Sequence, residues 1–141
     1  MFTRNASAWV LGAIALVGMG LAYAPAADIA KDNASADAKA LVSAANKSYA
    51  EALERLKNGH ATNPEDCYVW SRRVMDADTR ADRGNIVAPY NAAKSHEKRM
   101  QELDRVWRNL VKAALAPNQS TVLTEYYLLE AKAIASDASH G

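Results

Sequence analysis

The chain has 141 residues, half of which are hydrophobic, and its 17 basic and 16 acidic side chains nearly cancel. This length suits one domain, and the balanced charge gives no reason to expect a nucleic acid or an anionic membrane as a partner. The single cysteine, Cys67, excludes an internal disulfide, so packing has to stabilise the fold.

Residues 1–26 have the three parts of a secretory signal. Arg4 supplies the positive charge, an uncharged apolar run extends from Ala8 to Ala22, and small residues precede the expected cut after Ala26. A cut two residues earlier also fits the small-residue pattern. The other alternative is an uncleaved membrane anchor, but the run is shorter than the roughly 20 residues that span a bilayer. We expect a periplasmic or secreted mature chain with no stable membrane insertion.

The first helix is predicted from Asp37 to Asn58, because apolar side chains recur there at three- and four-residue steps and share one stripe. Residues 27–36 precede it and are polar and alanine-rich without a clear apolar period, which predicts a flexible lead-in. Gly59 supplies a left-handed stop. The predicted stripe consists of Leu41, Ala45, Tyr49, Ala52 and Leu56.

The second helix has a clear start signal, since Asn63 can cap it while Pro64 takes the first helical position. Gly84 and the next residue end the helix and complete a first hairpin over residues 37–84. Cys67 is expected to be a small buried hydrophobe, with an intermolecular disulfide as the alternative. The predicted core stripe is Cys67, Trp70, Val74, Ala77 and Ala81.

From Pro89 to about Ala114 the period of three and four is strict and resembles a coiled-coil seam. After Pro117 a last helix is predicted from Gln119 to Ser136, which gives a second hairpin over residues 85–137 and a frayed tail at 138–141. The third-helix stripe is Ala93, His96, Met100, Leu103, Trp107, Leu110 and Ala114. The broader fourth-helix stripe is Val122, Leu123, Tyr126, Tyr127, Leu129 and Ile134.

An internal repeat supports the division of the chain into two helical hairpins. The run from Leu56 to Pro64 recurs loosely 55 residues later as Val111 to Gln119. Short connections favour antiparallel neighbours. We predict a single all-α domain over residues 37–137, with two consecutive helical hairpins forming an antiparallel four-helix bundle or an elongated, coiled-coil-like hairpin pair. Hairpins that pack on another subunit are the alternative.

A charged helix end, a small-residue turn and a capped amphipathic helix also occur in the hairpin repeats of TolC-like outer-membrane efflux proteins, which this chain resembles. The resemblance covers about two-thirds of the mature chain. It implies a helical hairpin domain in the cell envelope and no channel, since the membrane strands of that family have no counterpart and the second turn lacks a glycine. The matching positions are Gly59, Thr62, Asp66, Cys67, Tyr68 and Ala77, and then Ala114, Thr121, Val122, Leu123, Leu129 and Ala131.

The three histidines do not suggest a metal or cofactor site. His60 is in a turn, His140 is in the tail, and neither they nor His96 has another histidine or a cysteine at ligand spacing. His96 and Met100 lie one turn apart on one helix, so they cannot take opposite faces of a haem. His96 is more simply a hydrogen-bonded residue that sets helix register. No catalytic, metal or cofactor-binding residue is predicted.

The aromatic side chains exceed what one narrow seam can hide, so some should face outward or meet a partner. The candidate interface residues are Trp107, Tyr126 and Tyr127, and the alternative is that these rings fill the bundle core. We predict an exported, noncatalytic envelope protein that serves as an interaction or structural module and binds itself or another helical envelope protein. A small-molecule- or cofactor-binding bundle is the alternative function.

Overall fold

The computed structural model describes residues 26–60 and 63–140, and within these ranges the chain is an all-α helical bundle without strands, as predicted. The predicted export signal lies outside the described residues except for its last alanine. None of the described helices combines the length and the apolar character needed to cross a bilayer. The helices are α1 (Ala26–Lys57), α2 (Glu65–Ala81), α3 (Ala88–Lys112) and α4 (Thr121–Asp137), and a 3₁₀ turn at Asn118–Ser120 precedes α4.

The helices pack in chain order, α1 on α2, α2 on α3 and α3 on α4. In the described ranges α1 and α4 make no extensive contact with each other, and α1 touches α3 only slightly. The molecule is therefore two helical hairpins that meet through α2 and α3. One hydrophobic core draws on all four helices, with the fully buried Leu56, Met100, Leu103 and Trp107 among its largest side chains.

Helix α1 begins at Ala26, eleven residues before the predicted start at Asp37, so it includes residues 27–36, where a flexible lead-in was predicted. The segment is rich in alanine, the best helix former, and no glycine or proline interrupts the chain between Ala26 and Asn58. Helix propensity continues the helix here even though no apolar period marks it.

The turns after α1 and α3 have the same geometry, at the 55-residue spacing of the sequence repeat. Gly59 has φ +71° and Ala114 has φ +57°. In each turn the next amide closes a bond to the carbonyl five residues back, from His60 N to Arg55 O and from Leu115 N to Leu110 O, both 2.8 Å. These are Schellman-type helix ends. The repeat is therefore a repeat of turn geometry, and alanine takes the left-handed position in its second copy.

The start of α2 also follows the prediction. Asn63 Oδ1 accepts a hydrogen bond from Glu65 N at 3.0 Å, and Pro64 already has helical dihedral angles of −74° and −9°. The proline lacks only an amide hydrogen that a first helical position does not use. Cys67 is buried as expected, so its thiol is not accessible for an intermolecular disulfide in this fold, and burial raises its pKa to about 12.

The predicted stripes are largely confirmed on the first three helices. Every predicted stripe residue of α3 is buried except Ala114, which lies beyond the helix end and is exposed. On α1 the prediction is wrong for Leu41, which is 57% exposed beside the last turns of α2. On α2 the predicted Trp70 and Ala81 are only half-buried. On α4 the predicted stripe is wrong for three of its six members, since Val122, Tyr126 and Leu129 are exposed. The buried face of α4 is Thr124, Tyr127, Ala131 and Ala135.

The two left-handed turns predict opposite responses to exchanging alanine and glycine. Gly59→Ala should lower the free energy of unfolding by about 1 kcal/mol, because a Cβ disfavours positive φ, and Ala114→Gly should raise it by up to about 1 kcal/mol. Urea denaturation followed by circular dichroism measures both. Gly84→Ala is the control, since Gly84 has no positive φ and a Cβ there meets nothing within 4 Å. If Gly59→Ala and Gly84→Ala changed the free energy of unfolding equally, the left-handed conformation of Gly59 would be contradicted.

Candidate interaction surface

A buried polar cluster joins α2 to α3. Ser71 on α2 lies 2.7 Å from His96 Nδ1 and accepts a hydrogen bond from Arg99 Nε at 2.8 Å, while Arg99 Nη2 donates to the Ser71 carbonyl at 3.3 Å. Ser71 and His96 are both 0% exposed. From α1, the Tyr49 hydroxyl donates to the Arg99 carbonyl at 3.3 Å, and the Arg99 guanidinium lies 5.8 Å from the centre of the Tyr49 ring. Three helices thus meet at Arg99.

The donors in this cluster indicate how His96 is protonated. Arg99 can only donate, so Ser71 Oγ accepts from it and is free to donate its own proton to His96 Nδ1. The imidazole is then the Nε2–H tautomer, and that N–H alone is unpaired, since His96 Nε2 has no hydrogen-bond partner among the residues that the structure describes. The opposite tautomer leaves both the Nε2 lone pair and the Ser71 hydroxyl proton without one. We therefore assign the Nε2–H form.

The surroundings of His96 favour the neutral ring. Burial lowers its pKa to about 4, and the charges of Arg99 and Arg72 add to the effect. Burial also raises the pKa of the Asp78 carboxyl, while Arg99 acts in the opposite direction. A neutral, fully enclosed His96 can hold the helices but cannot meet a substrate, so the cluster acts as a contact between helices. In the described part of the chain no three potential ligands among His, Cys, Asp and Glu gather to hold a metal ion.

A second contact joins the hairpins, this time between α2 and α4. The ring of Tyr68 stacks on that of Tyr127, with centroids 4.1 Å apart and planes 10° apart, and the Tyr68 hydroxyl donates to Glu130. Desolvation by burial and the Glu130 carboxylate raise the pKa of Tyr68 to about 12. These contacts hold one face of α4 against the bundle.

The three predicted interface residues differ in exposure: two are buried and one lies on the surface. Trp107 is 0% exposed and Tyr127 is 6% exposed, so both are core residues and neither is available as a surface anchor. Trp107 was predicted both as a member of the α3 stripe and as an interface residue, and its burial confirms the first of these predictions. Only Tyr126 faces outward, at 59% exposure, with its ring edge-on to Tyr127 at a centroid distance of 6.1 Å.

Tyr126 belongs to an apolar stripe on the outer face of α4. Val122 is 70% exposed and Leu129 is 64% exposed, and Ala133 continues the line. At 100° per residue these side chains point opposite the buried face formed by Thr124, Tyr127, Ala131 and Ala135. Helix α4 therefore has two apolar faces, one inside its own bundle and one open to solvent. We call Val122, Tyr126, Leu129 and Ala133 the outer stripe.

Apart from Leu41 on α1, the other large apolar side chains exposed in the described residues lie at helix connections. Ile86, Val87 and Tyr90 surround the α2–α3 connection, and Leu115 lies after α3. They do not follow one helix face as the outer stripe does. Sequence reasoning missed the outer stripe because it assigned all apolar residues of α4 to one broad face.

A cleft of about 450 Å³ opens where α1 passes the α2–α3 connection, and Lys39, Asp78, Asn91 and Ser95 are among its polar lining residues. No hydrogen bond or ion pair connects these four side chains to one another. Small-molecule binding, the alternative function, would have to use such a cleft, and it stays a prediction.

Comparison with known proteins found no matching family model, no matching curated protein and no matching solved structure. The resemblance to the hairpin repeats of TolC-like proteins therefore also stays a prediction.

The cluster predicts how stability depends on pH. The unfolded chain binds the His96 proton below about pH 6.5, whereas the folded chain does so only near a pKa of about 4. The contribution of neutral His96 is thus present above pH 6.5 and is lost as the pH falls toward 4, at a cost of up to about 3 kcal/mol in the free energy of unfolding. Urea denaturation at a series of pH values measures it.

The His96→Gln variant should lose most of this pH dependence, since glutamine does not titrate. His60→Gln is the control, because His60 is exposed in the turn after α1. Its replacement should leave the slope of the free energy of unfolding against pH unchanged. A wild-type slope retained in His96→Gln would show that another group carries the effect.

Proposed function

We propose that the protein is an exported, noncatalytic helical module of the cell envelope that binds a helical partner through the outer stripe of α4. The single observation that carries this proposal is the exposure of three large apolar side chains in line on one helix, Val122, Tyr126 and Leu129. A line of apolar residues at three- and four-residue steps is the pattern by which one helix packs along another.

The composition of the stripe supports binding over catalysis. Tyrosine buries a large area with few rotatable bonds and is a frequent anchor at interfaces, and leucine and valine supply apolar area around it. The Ser71 hydroxyl already bonds to both His96 and Arg99, and Ser71 and His96 are fully buried. Their arrangement supports a role in holding the scaffold that presents the stripe.

The proposed location rests on the sequence of the first 26 residues, which has the charge, apolar run and small residues of an export signal. A soluble helical hairpin domain in the envelope is also what the resemblance to TolC-like repeats implies. Cell fractionation with mass spectrometry of the mature N-terminus tests the location. A chain that begins at Ala27 outside the cytoplasm is expected, and an unprocessed cytoplasmic chain would refute export.

Two adjacent tyrosines provide a matched test of the binding face. Tyr126→Ala should change the free energy of unfolding by no more than about 0.5 kcal/mol, because the side chain is exposed, yet it should weaken partner binding. Tyr127→Ala should cost about 3 kcal/mol of stability, because it removes a buried aromatic ring. Urea denaturation and chemical cross-linking in intact cells measure the two effects. Unchanged cross-linking in a folded Tyr126→Ala variant would contradict the proposal.

A further inference from the structure

The outer stripe has the spacing of a two-helix seam. Val122, Tyr126, Leu129 and Ala133 follow one another at steps of four, three and four residues, and all four are exposed. Alternating steps of this kind form the contact line between two supercoiled helices, each contributing one such row. A single helix with the same kind of row would therefore cover it.

We propose that the partner of this stripe is a second copy of the chain, and that two α4 helices pack antiparallel around a two-fold axis between Tyr126 and Leu129. The inference rests on the proposed function and specifies its partner. A two-fold interface uses the same patch on both subunits, so each contact occurs twice.

The apolar layers fit this arrangement. In an antiparallel pair centred between residues 127 and 128, Tyr126 packs against Leu129 of the partner subunit, and Val122 packs against Ala133 of the partner subunit. The two large pairs occupy the centre, and each outer layer combines a medium with a small side chain. The apolar residues of both rows are thereby covered without placing a charge in the seam.

The charges beside the seam favour the same arrangement. Glu125 and Lys132 lie on the same side of the outer stripe, one turn before and one turn after its centre. In the antiparallel pair Glu125 faces Lys132 of the partner subunit, and the symmetry repeats the ion pair. Residues beside a seam commonly set partner choice and orientation through such pairs. Lys132 makes no ion pair within the part of the chain that the structure describes.

Glu125 is able to accept this second partner. Its Oε1 binds Arg108 Nη2 at 2.6 Å, and its Oε2 makes no hydrogen bond to any described residue. Arg108 also donates from Nε to Asp104 at 2.7 Å, so a second carboxylate already balances its charge. Asp104 and Glu125 share the cation of Arg108, so the three side chains carry one net negative charge that a cation outside the bundle can neutralise.

A parallel pair of α4 helices is disfavoured by the same side chains. With parallel helices Glu125 would lie across the seam from Glu130 of the partner subunit, which places like charges together. In the antiparallel pair the Glu130 side of the seam faces the apolar Leu123 of the partner subunit. The parallel pair would also place Lys132 across from Asp137 of the partner subunit, so a favourable pair would offset its repulsion, whereas the antiparallel pair has favourable charge pairs alone.

Charge reversal tests the inference. The chain is expressed from its full sequence, and sedimentation equilibrium measures dimer dissociation for wild type, Glu125→Lys, Lys132→Glu and the double variant. We expect a wild-type dimer, a dissociation constant raised roughly tenfold in each single variant, and recovery to within roughly threefold of wild type in the double variant. The double variant still lacks the Glu125–Arg108 pair, so its recovery isolates the contact between subunits.

A monomeric wild type, or a double variant that stays as weak as the single variants, would overturn the inference. Circular dichroism confirms that each variant is folded. A photo-cross-linking amino acid at position 126 in the native host then separates this inference from the proposed function, with exposed position 101 as the control. A cross-linked dimer at position 126 supports both the binding function and the dimer. Capture of a different protein there overturns the dimer but leaves the binding function supported. The absence of any adduct contradicts both.

Discussion

The hydrogen bonds of Ser71 to His96 and Arg99 are the interaction on which the arrangement of the molecule depends. Short connections make each helix a neighbour of the next, but they do not fix how one hairpin is shifted along the other. The outer helices α1 and α4 make no extensive contact with each other in the described ranges, and the contact of Tyr68 with Tyr127 and Glu130 is the other directional link between the hairpins. Hydrogen bonds are directional, so this cluster favours one register of α2 against α3.

The cluster also has an energetic cost that the rest of the core must offset. A buried donor without a partner costs roughly 1–3 kcal/mol, and His96 Nε2 lacks a partner among the described residues. A purely apolar core would avoid this cost but would also fit several hairpin positions about equally well. The placement of Ser71, His96 and Arg99 exchanges some stability for a defined register of α2 against α3.

Periodicity and turn chemistry were sufficient to predict most of the fold. The strict spacing on α3 identified its buried face from Ala93 to Leu110, and the 55-residue repeat identified two equivalent helix ends. The start of α1 was missed because a run rich in alanine is helical by propensity and carries no apolar period. Ser71 was missed because a serine between arginine and tryptophan has no signal that distinguishes a buried hydroxyl from an exposed one.

The candidate surface was predicted only in part, for a reason specific to α4. The helix has apolar residues on opposite sides, so the period identifies two faces without saying which one the bundle covers. The sequence also gives Thr124 as polar, whereas the fold buries it and lets its hydroxyl donate to Asp104 at 2.9 Å. Tyr126 was named and lies on the surface, but Trp107 and Tyr127 were named with it because an aromatic side chain can serve a core or an interface equally well.

The most direct test of this account is nitrogen NMR of the His96 imidazole in the folded protein. A ring that donates no proton from Nδ1, accepts one from Ser71 and stays neutral down to about pH 5 has the resonances of the Nε2–H tautomer. We expect that form throughout the range from pH 8 to about pH 5. A ring that is charged near pH 6, or that carries its proton on Nδ1, would contradict the cluster that joins the two hairpins.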